Sequence, residues 1–194
     1  MKNKDVAGVI LIGGKSSRMG KDKASLMFNN LRLVDHIAEI LISSGFKKII
    51  TSGIIKGYES VPDLVKNKGP VGGICSSIIH CQKNSLTKLV IIPVDMPLIS
   101  SEVVNFMIES SDDSEFTHFE EKPLPLVVRI SDSIASFCVK TNQNLSDGKE
   151  MSVKSFLRNF TTSAITIPQN LAKNLTNTNT KEEWRKIQNE YQNK

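Results

Sequence analysis

Four cations, Lys15, Arg18, Lys21 and Lys23, are interleaved with three glycines, Gly13, Gly14 and Gly20, directly after the apolar run Val6 to Ile12. Glycine lets the backbone approach a ligand closely, and successive N–H groups can turn toward anionic oxygens. Fixed cations beside them supply charge-assisted hydrogen bonds. The chemistry suited to that mixture is polyphosphate binding. Backbone N–H groups of the glycine-rich stretch would form the cradle, with Lys15, Arg18, Lys21 and Lys23 as its charges. A second chemical group stands far along the chain. Asp95, in Asp95-Met96-Pro97-Leu98, ends the continuous apolar run Leu89 to Val94. Its carboxylate is the hard oxygen ligand that Mg²⁺ takes while sharing substrate phosphates. An exposed basic turn for the first stretch, and a turn or N-cap residue for Asp95, are the plainer alternatives.

Two common phosphate loops do not fit. The pattern G-x-x-x-x-G-K-[ST] ending at Ser16 needs glycine at position 9, which is Val9. Ending one repeat later it needs glycine where Lys15 stands and a hydroxyl where Asp22 stands. The dinucleotide pattern G-x-G-x-x-G is absent as well.

The elements that must position these groups read as a parallel α/β arrangement. Val6 to Ile12 is a buried strand. Val34, Ile37, Ala38 and Leu41 recur at helical spacing, with Gly45 to stop the helix, and Lys48 to Ser52 is β-rich. Strand, loop, helix and strand in that order begin a parallel sheet. His36 on this helix reads as a partly buried or surface residue rather than a ligand. Asp63 precedes Gly69-Pro70-Val71-Gly72-Gly73-Ile74, which opens a helix reaching about Cys81. Its first turn offers unpaired N–H groups to an anion, or its glycines serve close helix–sheet packing. Leu89 to Val94 has the continuous apolar character of a strand covered on both faces, and Asp95 falls where open α/β sheets bind ligands. A helix from Ser101, strands Phe116–Phe119 and Leu124–Val128, helices Ile134–Val139 and Val153–Phe160, and a strand Ala164–Ile167 follow. Glu120 and Glu121 read as a solvated turn. Thr180 with Glu183 forms a capping box for a last helix from Lys181 toward Gln192.

A length of 194 residues suits one domain spanning 1–194, with chain enough to bury a core. Net charge is +5 and aromatics are 6 %, without the basic stripe and interleaved aromatics of a nucleic-acid binder. Cys75, Cys81 and Cys138 lack C-x-x-C spacing. The set fits a reducing compartment, and Cys75 and Cys81 read as small core residues of a helix. No secretory pattern or bilayer-length apolar run is present, so the expectation is a cytoplasmic protein without a membrane partner.

The order G-G-x-S-x-R-M-G-x-D-K-A-x-L over Gly13 to Leu26 resembles the signature loop of the molybdenum cofactor guanylyltransferases. Gly69-Pro70-Val71-Gly72-Gly73 resembles that family's G-P-L-A-G, Asp95 to Leu98 its metal-binding D-x-P-x-[LI], and Asn177 to Trp184 its N-x-N-T-P-E-[ED]-L tail. Departures are Ile12 for a small Ala, Gly72 for Ala, Lys181 for Pro, Trp184 for Leu, and Lys149 displaced from a G-x-R. The resemblance implies a single Rossmann-like three-layer α/β domain with a central, mostly parallel sheet. It implies Mg²⁺-dependent transfer of GMP from GTP to molybdopterin. Arg18, Lys23 and Asp95 would be catalytic, with Asp95 the metal ligand. Leu11, Ile12, Gly13, Gly14, Lys15, Ser16, Asp63, Gly69 and Gly72 would complete the nucleotide site, and Lys122, Pro123, Asn177 and Asn179 the acceptor site. Transient contacts with other molybdenum cofactor biosynthesis proteins and molybdoenzymes are implied too. A related enzyme using CTP or a sugar-phosphate acceptor, and a non-catalytic nucleotide or cofactor binder, are the alternatives.

Overall fold

The computed structural model describes residues 5–12, 23–65 and 69–192. The chain opens with β1 (Val6–Leu11), a small hairpin of β2 (Met27–Phe28) and β3 (Leu31–Arg32), helix α1 (Leu33–Ser43), β4 (Lys48–Ser52) and β5 (Glu59–Val61). Helix α2 (Pro70–Lys83), β6 (Lys88–Pro93), α3 (Ser101–Glu109), β7 (Phe116–Phe119) and β8 (Lys122–Arg129) follow. Helices α4 (Asp132–Ser146) and α5 (Val153–Leu157), strand β9 (Thr162–Ile165), a 3-10 segment Gln169–Leu175 and α6 (Lys181–Gln192) complete it.

Seven strands form one sheet in the order β5-β4-β1-β6-β8-β7-β9. The pairs β5-β4, β4-β1, β1-β6 and β7-β9 are parallel, and β8 runs antiparallel to both of its neighbours. Alternation along the central strands divides the core into two layers. Ala7, Val9 and Leu11 of β1, with Leu89 and Ile91 of β6, face α2, α4 and α5. Ile10 of β1, with Val90 and Ile92 of β6, faces α1, α3 and α6. Because both faces are covered, β1 and β6 read as continuous apolar sequence. Each Val, Leu or Ile among them contributes about 1.5–3 kcal/mol on burial, more than an ordinary residue's helix propensity.

The largest departures from the sequence reading lie where pattern is weak. Helix α4 outruns Ile134–Val139 because Ser131 caps it and its polar Thr141 and Asn142 are buried. Helix α5 stops at Leu157, short of Phe160, although Phe160 still packs on Phe116 and Phe156. Strand β9 sits two residues before Ala164–Ile167, and its half-exposed edge position leaves little apolar signal. Strand β8 begins at Lys122, with Glu121 at φ 60° making the turn before it. The β2–β3 hairpin, unmarked by apolar pattern, turns on Asn29 and Asn30 at φ 51° and 63°, where Asn is tolerated. Cys75, Cys81 and Cys138 are free, as their spacing implied, and all three are buried, Cys138 along with the two expected in the core.

Candidate active site

Strand β1 lies between β4 and β6. The chain leaves β1 outward to β4 and β5, then returns to the opposite side of β1 at β6. Such a reversal opens a crevice at the carboxyl ends of the two central strands. There Val94 N donates to Leu11 O at 3.0 Å and Ile12 N donates to Ser52 O at 3.2 Å, stitching three strand ends together. Asp95 emerges at that point. The turn after it is held from two sides. His36 Nε2 lies 2.9 Å from Pro97 O, and since a carbonyl only accepts, Nε2 carries the hydrogen. Burial keeps the His36 pKa below its ordinary value, which maintains the neutral donor. Asn174 Nδ2 donates to Leu98 O at 2.8 Å.

Lys23 and the 177–179 segment converge on Asp95 from opposite ends of the chain. Lys23 Nζ donates to Thr178 O at 2.8 Å and Asn179 Oδ1 at 3.0 Å, and lies 3.4 Å from Asp95 Oδ2. Asn177 Nδ2 donates to Asp95 Oδ1 at 3.0 Å. Thr178 N and Oγ1 donate to Asp95 O at 2.8 and 3.2 Å. The Lys23 and Asp95 side chains remain 15 % and 21 % exposed, so the pair is shielded but open to a ligand. The expected capping box is formed: Glu183 N donates to Thr180 Oγ1 at 3.1 Å, and Glu183 Oε2 accepts from Thr180 N at 3.0 Å. The same oxygen accepts from Asn179 N at 2.7 Å, and these N–H groups hold the Glu183 pKa below the usual carboxylate value.

The other lip of the crevice is shaped by missing Cβ atoms. A Cβ on Gly72 would lie 2.9 Å from Asp63 Oδ1, so glycine at this position makes room for the carboxylate. Asp63 Oδ1 accepts from Val65 N at 3.2 Å, yet burial still raises its pKa. A Cβ on Gly73 would lie 2.4 Å from Ser52 Oγ and 3.4 Å from Leu11 Cδ2, so the packing reading of the glycines applies there. Gly69, at φ 76°, starts α2 in a conformation that glycine alone adopts readily. Ile12 finds its space over Gly53, whose own Cβ would come within 2.8 Å of Ile12 Cγ1.

Of the sequence-derived site residues, Lys23, Asp95, Asn177 and Asn179 are in direct contact. Leu11, Ile12, Asp63, Gly69 and Gly72 line the neighbouring ends of β1, β4, β5 and α2. Lys122 and Pro123 reach the edge by register: Ile91 pairs with Leu126, which brings the start of antiparallel β8 beside the carboxyl end of β6. Gly13, Gly14, Lys15, Ser16 and Arg18 lie outside the described residues. Three participants were not among the expected site residues. Thr178 acts through its main chain, and His36 and Asn174 hold a turn far from them in sequence. Among the described residues no group of three or more His, Cys, Asp or Glu gathers as a metal cage. One part-exposed carboxylate does suit Mg²⁺, which takes one or two carboxylates together with substrate phosphates and water.

The family described as MobA-like NTP transferase domain matches residues 8–153. A molybdenum cofactor guanylyltransferase from Xanthomonas euvesicatoria pv. vesicatoria is 28 % identical over 180 residues, covering 93 % of each chain. A probable molybdenum cofactor guanylyltransferase from Flavobacterium johnsoniae is 35 % identical over 125 residues, 61 % of this chain and 64 % of the relative. The crystal structure of molybdopterin-guanine dinucleotide biosynthesis protein A from Archaeoglobus fulgidus superposes with a TM-score of 0.71 at 17 % identity, over 97 % of this chain and 100 % of that one. A seven-stranded, mostly parallel sheet with helices on both faces, and a family match running from β1 into α5, agree with one another. The chain belongs to the MobA-like NTP transferase domain family.

Proposed function

We propose that the protein transfers GMP from GTP to the terminal phosphate of molybdopterin or its molybdenum-bound form, giving the guanine dinucleotide cofactor and pyrophosphate. The observation that carries this reading is the convergence of Lys23, Asp95 and Asn177–Asn179 at the carboxyl ends of β1 and β6. The guanylyl assignment is supported by the name of the relative that spans 93 % of the chain.

A phosphate oxygen of the acceptor attacks the α-phosphorus of GTP, the bond from that phosphorus to the bridging oxygen breaks, and pyrophosphate leaves. A phosphate monoester is already largely a dianion near neutral pH, with a second pKa of about 6, so the attack needs no side-chain base. Positioning and charge are what the protein must supply. Lys23 donates to phosphate oxygens near the reacting centre, Arg18 pairs with the β- and γ-phosphates, and the N–H groups of Gly13 to Ser16 cradle them. Asp95 is the residue that would hold Mg²⁺. That ion, when bound, neutralises charge on phosphate oxygens. Asn177 holds the Asp95 carboxylate from the other side, and Asn179, Lys122 and Pro123 border the acceptor. The whole chain acts as one domain in the cytoplasm and exchanges substrate and product with other proteins of molybdenum cofactor metabolism. Among the described residues no helix is long and apolar enough to cross a membrane.

Thermal melts with Mg²⁺ and each of GTP, CTP, UTP and ATP test the nucleotide. Ligand at 100 times its Kd adds about 2.7 kcal/mol. Stabilisation by GTP alone supports the reading. Stabilisation by CTP alone replaces it with a cytidylyltransferase, and turnover-free binding with a nucleotide carrier.

A further inference from the structure

We infer that Glu183 is a positioning residue of the active site, orienting through a single peptide group the carbonyl that holds the Lys23 ammonium. This rests on the role proposed above for Lys23.

Thr178 O and Asn179 N belong to the same peptide unit, whose six atoms are coplanar and whose C=O and N–H point in opposite directions when trans. Glu183 Oε2 accepts from Asn179 N at 2.7 Å, and at the other end Thr178 O accepts from Lys23 Nζ at 2.8 Å. A carboxylate therefore grips one end of a rigid plate and an ammonium grips the other. Each polarises the amide in the sense that strengthens the opposite bond. The side chain of Asn179 adds a second acceptor to the ammonium at 3.0 Å. A lysine ammonium sits on four flexible methylenes whose rotamers must be restrained, so fixed acceptors decide where its charge sits.

Glu183 thus makes one bond beyond the reciprocal pair of its capping box with Thr180, and the two kinds of bond have different consequences. The bond from Glu183 N to Thr180 Oγ1 serves the start of α6. The bond from Asn179 N to Glu183 Oε2 reaches the site through the peptide. Neither the helical pattern nor the S/T-x-x-E spacing distinguishes them, since an ordinary capping box needs only Thr180 and Glu183.

The test separates helix capping from positioning with E183A, E183Q and T180A. E183A is expected to lower kcat/KM for GTP by about tenfold or more, as loss of an outer-shell partner does in other sites. T180A is expected to lose a similar amount of melting temperature while keeping kcat and KM. E183Q is expected to restore most of the rate lost in E183A, because its amide oxygen accepts the same N–H groups. Order at Lys23 is read separately from turnover, by the ¹⁵Nζ ammonium signal in NMR. It is expected to persist in wild type and T180A and to disappear in E183A. An active wild type in which E183A and T180A behave alike, or an unchanged ammonium signal in E183A, overturns the inference. A wild type without transfer activity overturns the proposed reaction, and the ammonium signal still decides the role of Glu183.

Discussion

Lys23 and Asp95, 72 positions apart in sequence, meet with Nζ 3.4 Å from Oδ2, and the Thr178 main chain binds both. Of the three contacts of the ammonium, the one to Asp95 is the longest and so the easiest to exchange for a phosphate oxygen. Lys23 can then serve a nucleotide while still holding the 178–179 peptide.

Replacing Lys23 by Met should therefore cost much more rate than stability. A rate loss of about 10²-fold or more is expected for removing a donor to developing charge. The part-exposed contacts contribute only about 1 kcal/mol, a Tm fall of roughly 2–4 °C for a chain of this length. Steady-state kinetics and a melt on the same preparation check this. Unchanged kcat/KM would remove Lys23 from the reaction.

Asp63 is kept at a cost. Burial raises its folded pKa above the ordinary 3.8, because the charged form loses solvation that the unfolded chain keeps. Its contribution is most favourable below the unfolded pKa and is lost as pH rises through the folded one. Ionised at pH 7, it is destabilising. Asp63→Asn should raise Tm at pH 7, lose that advantage in acid, and weaken nucleotide binding. A Tm that does not rise, or unaltered affinity for GTP, would contradict the assignment.

Gly73 packs closely against Ser52. Gly73→Ala places a Cβ where Ser52 Oγ is 2.4 Å away, and overpacking of this kind costs about 1–3 kcal/mol. Removing the hydroxyl leaves Ser52 Cβ at an ordinary 3.5 Å, so S52A should recover much of the loss in the double variant. Urea titration of the cycle gives the coupling. Purely additive effects would mean that α2 shifts as a body.

His36 makes stability depend on pH in mild acid. Burial lowers its folded pKa, while the Pro97 carbonyl and nearby Glu39 pull the other way. As pH falls below about 6.5 the unfolded chain takes a proton that the fold refuses, and stability declines until the folded pKa is passed. His36→Gln should flatten that window. A slope of equal size in the variant would assign it to other groups.

The fold was legible wherever burial imposes a pattern. Strand β4 and helix α6 have the bounds read from their residues, because β-branched sequence and a capping box mark them directly. The β2–β3 hairpin and β5 were hidden by their length of two or three residues, which leaves no period to detect. At the site, Asp95 was readable as a carboxylate at the end of an apolar strand, and Lys23 as a cation in a glycine-rich run. Their contact was not, since it depends on β6 lying beside β1 and on residues 177–179 returning to it. Thr178 contributes a main-chain carbonyl, which no residue type announces. Ile12 and Gly72, departures from the family pattern, gain a physical reason only when Gly53 and Asp63 are seen against them.

The most direct measurement is turnover of GTP with molybdopterin and Mg²⁺, followed by pyrophosphate release and by the mass of the product, for wild type and Asp95→Ala. The expected result is a guanine dinucleotide formed from GTP and not from CTP, with formation lost in the folded Asp95→Ala protein. Formation from CTP in preference to GTP, or wild-type turnover in Asp95→Ala at matched Mg²⁺, would contradict the proposed guanylyl transfer at Asp95.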